Sequence, residues 1–164
     1  MTNIKCDQSA FSLIELAIIL AIVGILAVIA IPNMMEMTPR IRLNNAAQGI
    51  ATDLQFARIR SITIGKECRL NFNLSAESYA IEEGNRSSGS TSWNIIANQE
   101  ERKFNDSSNI YYHKNIDIQS VSQNPIFTPK GLSSTTTVIQ IQNDRGNKKD
   151  ILVNIAGRIK ISHE

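Results

Sequence analysis

The chain has 164 residues, 42% of them apolar and 20% charged, with a net charge of +2. That length holds one domain of ordinary size plus an appendage, and so small a charge is by itself no argument for nucleic-acid binding. Two cysteines, Cys6 and Cys68, allow one pairing in principle but supply neither a disulfide framework nor a metal set.

The apolar residues are unevenly spread. Residues 11–31 carry a single charge, Glu15, whereas the remainder is polar and rich in Asn, Ser, Gln and Thr. As a helix this run would be roughly 31 Å long, the thickness of a bilayer core. A cleaved secretory signal has a shorter apolar stretch closed by small residues, and nothing of that kind precedes Pro32. A plain single-pass anchor leaves Glu15 unexplained, because a carboxylate in lipid costs several kcal/mol unless it finds a partner.

"FSLIEL" from Phe11, a long apolar run and then "PN" at Pro32 resemble the N-terminus of type IV pilins and type II secretion pseudopilins. The resemblance implies a leader, residues 1–10, removed by a prepilin peptidase between Ala10 and Phe11, with methylation of the new amine. The family normally has Gly before the cut; this chain has Ala10, the next smallest side chain. Lys5 in the leader suits the cytoplasmic side. Phe11 becomes the first residue of the mature chain and Glu15 the fifth. In the family that Glu is held to neutralise a neighbour's terminal amine during assembly. Two charges that are costly alone in lipid become tolerable as a pair.

Pro32 lacks a helical donor and is expected to kink or loosen the helix; Gly24 is a weaker point of the same kind. Pro39 predicts a second break. Beyond it Leu43, Ala47, Ile50, Leu54 and Ala57 recur at helical spacing, which predicts an amphipathic helix over 41–64 ending at Gly65. The pattern lasts only about three heptads, too short for a coiled coil, so its stripe needs a sheet. Residues 66–164 supply one. Leu70, Phe72 and Leu74 alternate with polar residues, and Tyr79 and Ile81 begin a return strand. The loop "EEGNRSSGSTS" is expected to be exposed. "WNIIA", "IYYHKNIDI", "TTVIQIQ", "DILVNI" and "RIKIS" are further strands, with "NDRGNKK" as a hairpin turn. The fold class is α+β: a long N-terminal helix (first half transmembrane, residues 11–31; second half, 32–65, amphipathic) packed on an antiparallel sheet.

"IFTPKGL" and "ILVNIAGRIKIS" further resemble the C-terminal pattern of the GspH/FimT pseudopilins: a Phe, a Gly a few residues on, and a closing strand with "GR". This implies a minor pilin or pseudopilin, anchored in the bacterial inner membrane with its globular part in the periplasm, whose partners are other pilin subunits.

Enzyme motifs are missing. His113 and His163 are the only histidines, and neither has Cys or carboxylates at metal-ligand spacing. His113 reads as a strand-surface residue. Glu82–Glu83 and Glu100–Glu101 read as solvated loop charges. No cofactor is implied. One binding pattern stands out. Some FimT-type minor pilins carry a GRxR motif that contacts DNA, and Arg158 and Lys160 in "GRIK" fall on its basic positions. Strand alternation places both opposite Ile159 and Ile161. Residues 130–164 hold six basic residues, with Arg145, Lys148 and Lys149 among them, against three acidic; residues 76–106 hold three basic against six acidic. That asymmetry predicts a basic face for the phosphates of double-stranded DNA. Lys160 lacks the planar fork of arginine, and the alternative is a solvated strand used only in assembly.

Overall fold

The computed structural model describes residues 13–163, except the side chains of residues 28–36 and 163. The chain divides into two compact units, Met1–Met37 and Thr38–Glu164.

A single helix, α1, runs from Leu13 to Ile64. Glu15 lies two residues after the first described residue of the helix. At the far end Gly65 has φ 68° and its N–H donates to Ser61 O at 3.1 Å, the left-handed cap that stops a helix. The helix includes both Pro32 and Pro39, so the break expected at Pro39 does not occur. Proline already holds a helical φ, so its cost is one lost hydrogen bond and a clash with the preceding turn, about 3 kcal/mol. A long helix with anchored turns beyond the proline can absorb it.

In the first unit every large apolar side chain of α1 from Leu13 to Leu26 is 45–87% exposed. Among the described residues no helix is long and apolar enough to cross a membrane. The expected span, 11–31, begins outside the described residues and ends among side chains that are likewise outside them.

In the second unit α1 buries Leu43, Ala46, Ala47, Ile50, Leu54, Ala57 and Ser61, spaced by threes and fours so that they share one side. The alanines bring the helix backbone close to the strands, and Leu43, Ile50 and Leu54 fill the gaps between them. The strands form two sheets, not the one expected. The first contains β1 (Cys68–Asn73), β2 (Ser78–Gly84), β3 (Trp93–Ile95), β4 (Arg102–Lys103) and β6 (Ile126–Phe127), ordered β3-β2-β1-β6 with β4 also on β2. The second contains β5 (Ile116–Val121), β7 (Thr137–Asn143), β8 (Lys148–Val153) and β9 (Ile159–His163), ordered β5-β7-β8-β9. All the pairings are antiparallel. One core joins the helix stripe to Leu70, Ile81 and Phe127 of the first sheet and Ile118, Ile139, Ile141, Ile151 and Val153 of the second.

Boundaries differ where apolar residues sit in turns. Leu74 is 43% exposed, in the turn closed by Glu77, whose N–H donates to Leu74 O. The run from Ile110 becomes a strand only at Ile116, after a turn in which Asn115 takes φ 61°. Strands β4 and β6 are two residues each, too short for an alternating pattern to reveal.

Both hairpins of the second sheet use one device. In the β7–β8 turn Asn143 Oδ1 accepts from Asn147 N at 2.9 Å, Asn143 N donates to Asn147 O at 3.0 Å, and Gly146 takes φ 80°. In the β8–β9 turn Asn154 Oδ1 accepts from Arg158 N at 2.9 Å, Asn154 N donates to Arg158 O at 3.0 Å, and Gly157 takes φ 73°. These are three-residue loops with glycine in the left-handed position, and the asparagine side chain locks each one.

Candidate functional site

Two regions of the chain bear on function: the N-terminal part of α1 and the outward face of the second sheet. Ala10 and Phe11 lie outside the described residues. Glu15 is exposed on α1. Pro32 lies within α1, and its side chain is outside the described set.

On the second sheet Arg158 and Lys160 are both exposed, while Ile159 and Ile161 pack against the core. Lys160 pairs with Leu152 across β8–β9, and residues directly opposite in a ladder share a face. Leu152, Asn154, Arg158 and Lys160 line a depression of ≈ 200 Å³. Neither Arg158 nor Lys160 makes an ion pair among the described residues. Lys148 is exposed on the same side of β8 as Leu152, and Arg145 is exposed in the turn beyond it.

Lys149 does not join them. It alternates with Lys148, is 7% exposed, and stands on the core side with Ile151 and Val153; burial pushes its pKa down. The neighbouring acid is also engaged: Asp150 Oδ1 accepts from Gln140 Nε2 at 3.0 Å.

Two of the six acids of residues 76–106 are paired from outside that segment. Glu82 pairs with Arg69 at 2.6 Å and Glu83 with Arg60 at 2.7 Å. Both glutamates lie in β2, not in a loop. Arg158 and Lys160, by contrast, make no ion pair among the described residues.

The sequence reading missed a buried polar tie between helix and sheet. Arg102 is 3% exposed. Its Nε donates to Asp53 Oδ2 at 2.9 Å, its NH1 to Glu100 O at 2.6 Å, and its guanidinium lies 4.4 Å from the Tyr111 ring centroid. Tyr79 OH donates to the same Asp53 Oδ2 at 2.9 Å. Burial, and next Asp53, push the Tyr79 pKa well up. Asp53 sits three residues after Ile50 and four before Ala57, inside the apolar stripe. A charge at that position signals a partner in the core.

A second tie joins the two glycines of the C-terminal pattern. Arg58 of α1 donates from Nε to Gly131 O at 2.8 Å. A Cβ on Gly157 would collide with that same carbonyl oxygen and stand 2.8 Å from Arg58 Nε. Gly131 itself, at φ 74°, faces Ile62 Cδ1. The loop expected to be exposed, residues 82–92, is also built. The Glu67 carboxylate, 6% exposed, accepts from Gly89 N at 3.1 Å and Ser90 N at 2.8 Å.

His113 is not on a strand. It precedes β5, half-buried, with its ring edge-on to Phe104 at 4.8 Å, and burial lowers its pKa. Among the described residues no group of three or more His, Cys, Asp or Glu is placed to hold a metal ion.

Comparison with known proteins places this arrangement. The chain resembles the minor pseudopilin EpsH of the type 2 secretion system of Vibrio cholerae, with TM-score 0.56 and 8% identity over 74% of this chain and 97% of that one. It also resembles the type IV minor pilin FimU of Pseudomonas aeruginosa, with TM-score 0.54 and 14% identity over 77% and 92%. At those identities the likeness shows the fold alone. Fimbrial proteins of Pseudomonas aeruginosa are 43% identical over 60 residues, and the chain spans 38% of their length. Residues 5–31 match the prokaryotic N-terminal methylation motif. Residues 46–157, more than half of the chain, match the family of the type II transport protein GspH, and the chain belongs to that family, whose fold is that of structural pilin and pseudopilin subunits.

Proposed function

We propose that the protein is a minor pilin or pseudopilin subunit, processed at Ala10–Phe11 and assembled through its N-terminal helix into a type II secretion pseudopilus or a type IV pilus. The observation that carries this is the contrast within α1. From Leu43 to Ala57 the helix buries its apolar stripe on its own sheets, whereas the large side chains from Leu13 to Leu26 are all 45–87% exposed. Apolar surface of that extent needs lipid or other subunits, and the match of residues 5–31 to the methylation motif favours both in turn: lipid before assembly, neighbours after it. Glu15 then pairs with a neighbour's Phe11 amine, and Pro32 lies where the membrane segment gives way to the rest of the helix. The test is incorporation. The full chain, expressed with a complete set of filament subunits, should co-sediment with sheared filaments; a chain that stays wholly in the membrane fraction while the filaments form contradicts the reading.

A second reading, weak contact with double-stranded DNA, is favoured by one observation: Arg158 and Lys160 share a depression and lack ion-pair partners among the described residues. Binding would rest on phosphates, be indifferent to sequence and fall steeply with salt. Gel shift at low and moderate salt tests it, with no shift at low salt as the opposing result.

A further inference from the structure

We infer that a hollow bounded by three loops of the second unit captures the carboxy-terminal residue of a partner protein. Lys130, Ser87 and Ser88 take its carboxylate, and Pro129, Leu132 and Ile155 receive its apolar side chain. The hollow measures ≈ 450 Å³, within the range of small-ligand sites, and Thr128 and Ser133 complete its lining. It works in the same way whether or not the chain enters filaments.

The three loops come from separate parts of the chain, and each is braced. Between β2 and β3, Asn85 N donates to Ser92 O at 3.1 Å and Ser90 Oγ to Arg86 O at 3.1 Å. The Glu67 carboxylate holds Gly89 N and Ser90 N of the same loop, so Ser87 and Ser88 stand between fixed points. Between β6 and β7, Thr128 N donates to Leu132 O at 2.9 Å and Gly131 N to Thr128 O at 2.8 Å. Ser133 N donates to Ile155 O at 3.0 Å, which ties that loop to the β8–β9 turn. Walls fixed in advance lose little entropy when a ligand arrives.

What the braces leave over selects the occupant. The Thr128 and Ser133 hydroxyls are used, donating to Leu132 O at 3.3 Å and Thr135 O at 2.8 Å. The side chains of Ser87, Ser88 and Lys130 have no hydrogen bond or ion pair among the described residues. Beside them Leu132 and Ile155 are 43% and 60% exposed. One ammonium and two hydroxyls match one carboxylate, and the acid of this region, Glu67, is buried and already engaged. A nucleic acid would find a single cation in the lining and no aromatic ring to stack on. A long acyl chain needs a wholly apolar channel, whereas four of the eight lining residues carry hydroxyls. A carboxylate and an apolar side chain on one residue is the ending of a protein chain, a recurring mode of peptide capture.

The test uses the full chain in lipid nanodiscs, with empty nanodiscs as blank. The probes are short, soluble, dye-labelled peptides ending in leucine, valine or phenylalanine, each as free acid and as amide, read by fluorescence anisotropy. At least one free acid should bind, and its amide should bind about tenfold more weakly or worse. Lys130→Ala and Leu132→Asp, both at exposed positions, should each lower the affinity about tenfold with an unchanged melting temperature. Lys130→Arg should retain it. Equal binding of acid and amide, full binding in Lys130→Ala, N-acetyl-leucine binding as tightly as the peptides, or no binding at millimolar peptide overturns the inference. Each of those results leaves the filament reading standing, since that reading is tested by incorporation.

Discussion

Gly131 and Gly157, twenty-six positions apart in sequence, meet backbone to backbone: the carbonyl oxygen of Gly131 occupies the space a Cβ on residue 157 would need, and Arg58 holds that oxygen at 2.8 Å. The two glycines of the C-terminal pattern are thus one structural clamp that pins the β8–β9 turn and the loop before β7 to the end of α1. Gly157→Ala should destabilise the folded domain by about 2–4 kcal/mol, from the left-handed conformation and the clash together. Arg58→Ala should cost about 1–3 kcal/mol by leaving the Gly131 carbonyl without its donor. Urea unfolding of the chain from residue 38 onward measures both; a neutral Gly157→Ala contradicts the clamp.

The clamp bears on how the "GR" pair is read. Its glycine is required by the turn and the close approach whether or not Arg158 binds anything. Only the basic side chains carry the DNA reading, so their test must leave Gly157 in place. Arg158→Ala with Lys160→Ala should abolish a low-salt gel shift, while Lys148→Ala should weaken it by a smaller factor. Retention of the shift in the double variant removes this site.

Asp53, Arg102 and Tyr79 form a buried tie in which each group needs the others. Removing one partner of a buried ion pair strands the other charge, so Asp53→Ala should cost about 3–5 kcal/mol. Tyr79→Phe, which removes one neutral donor, should cost about 1 kcal/mol. The same denaturation measurement compares them, and equal small effects would contradict the ordering.

Burial pushes the Cys68 thiol from an ordinary 9.0 up to about 12, with Glu83 adding to the rise and Arg60 opposing it; Tyr79 is raised in the same sense. In both cases the folded chain keeps its proton where the unfolded chain has lost it. The Cys68 contribution is therefore whole below pH 9 and is lost as pH rises from 9 towards 12; that of Tyr79 is whole up to its ordinary 10.0 and declines only above it. Each group contributes about 1.4 kcal/mol per pH unit while only the unfolded form ionises. Cys68→Ala should flatten the decline that begins at pH 9; an unchanged slope would contradict the assignment.

Much of this was legible in the sequence, for identifiable reasons. The helix stripe from Leu43 to Ala57 was readable because threes and fours repeat, and the β7–β8 hairpin because two alternating runs flank a turn rich in Asn and Gly. The division into two sheets was not, since alternation reports which side a residue faces and not which neighbour it pairs with. Lys149 illustrates the limit. In a count of charges it belongs with Lys148, yet the period of two turns it into the core. Asp53 and Arg102 were missed because a buried ion pair leaves no local trace beyond a charge at a stripe position. The uninterrupted helix at Pro39 is the opposite case: a strong local signal overridden by the packing of the turns that follow.

Central to the account is that the N-terminal helix is an assembly device exposed by cleavage. The most direct measurement is the intact mass and N-terminal sequence of the chain recovered from the envelope of a host with a working prepilin peptidase. The account predicts a mature chain starting at Phe11 with a methylated amine, recovered in filaments and lost from them in Glu15→Leu. A chain still bearing residues 1–10 and found only as single molecules in the membrane would contradict it.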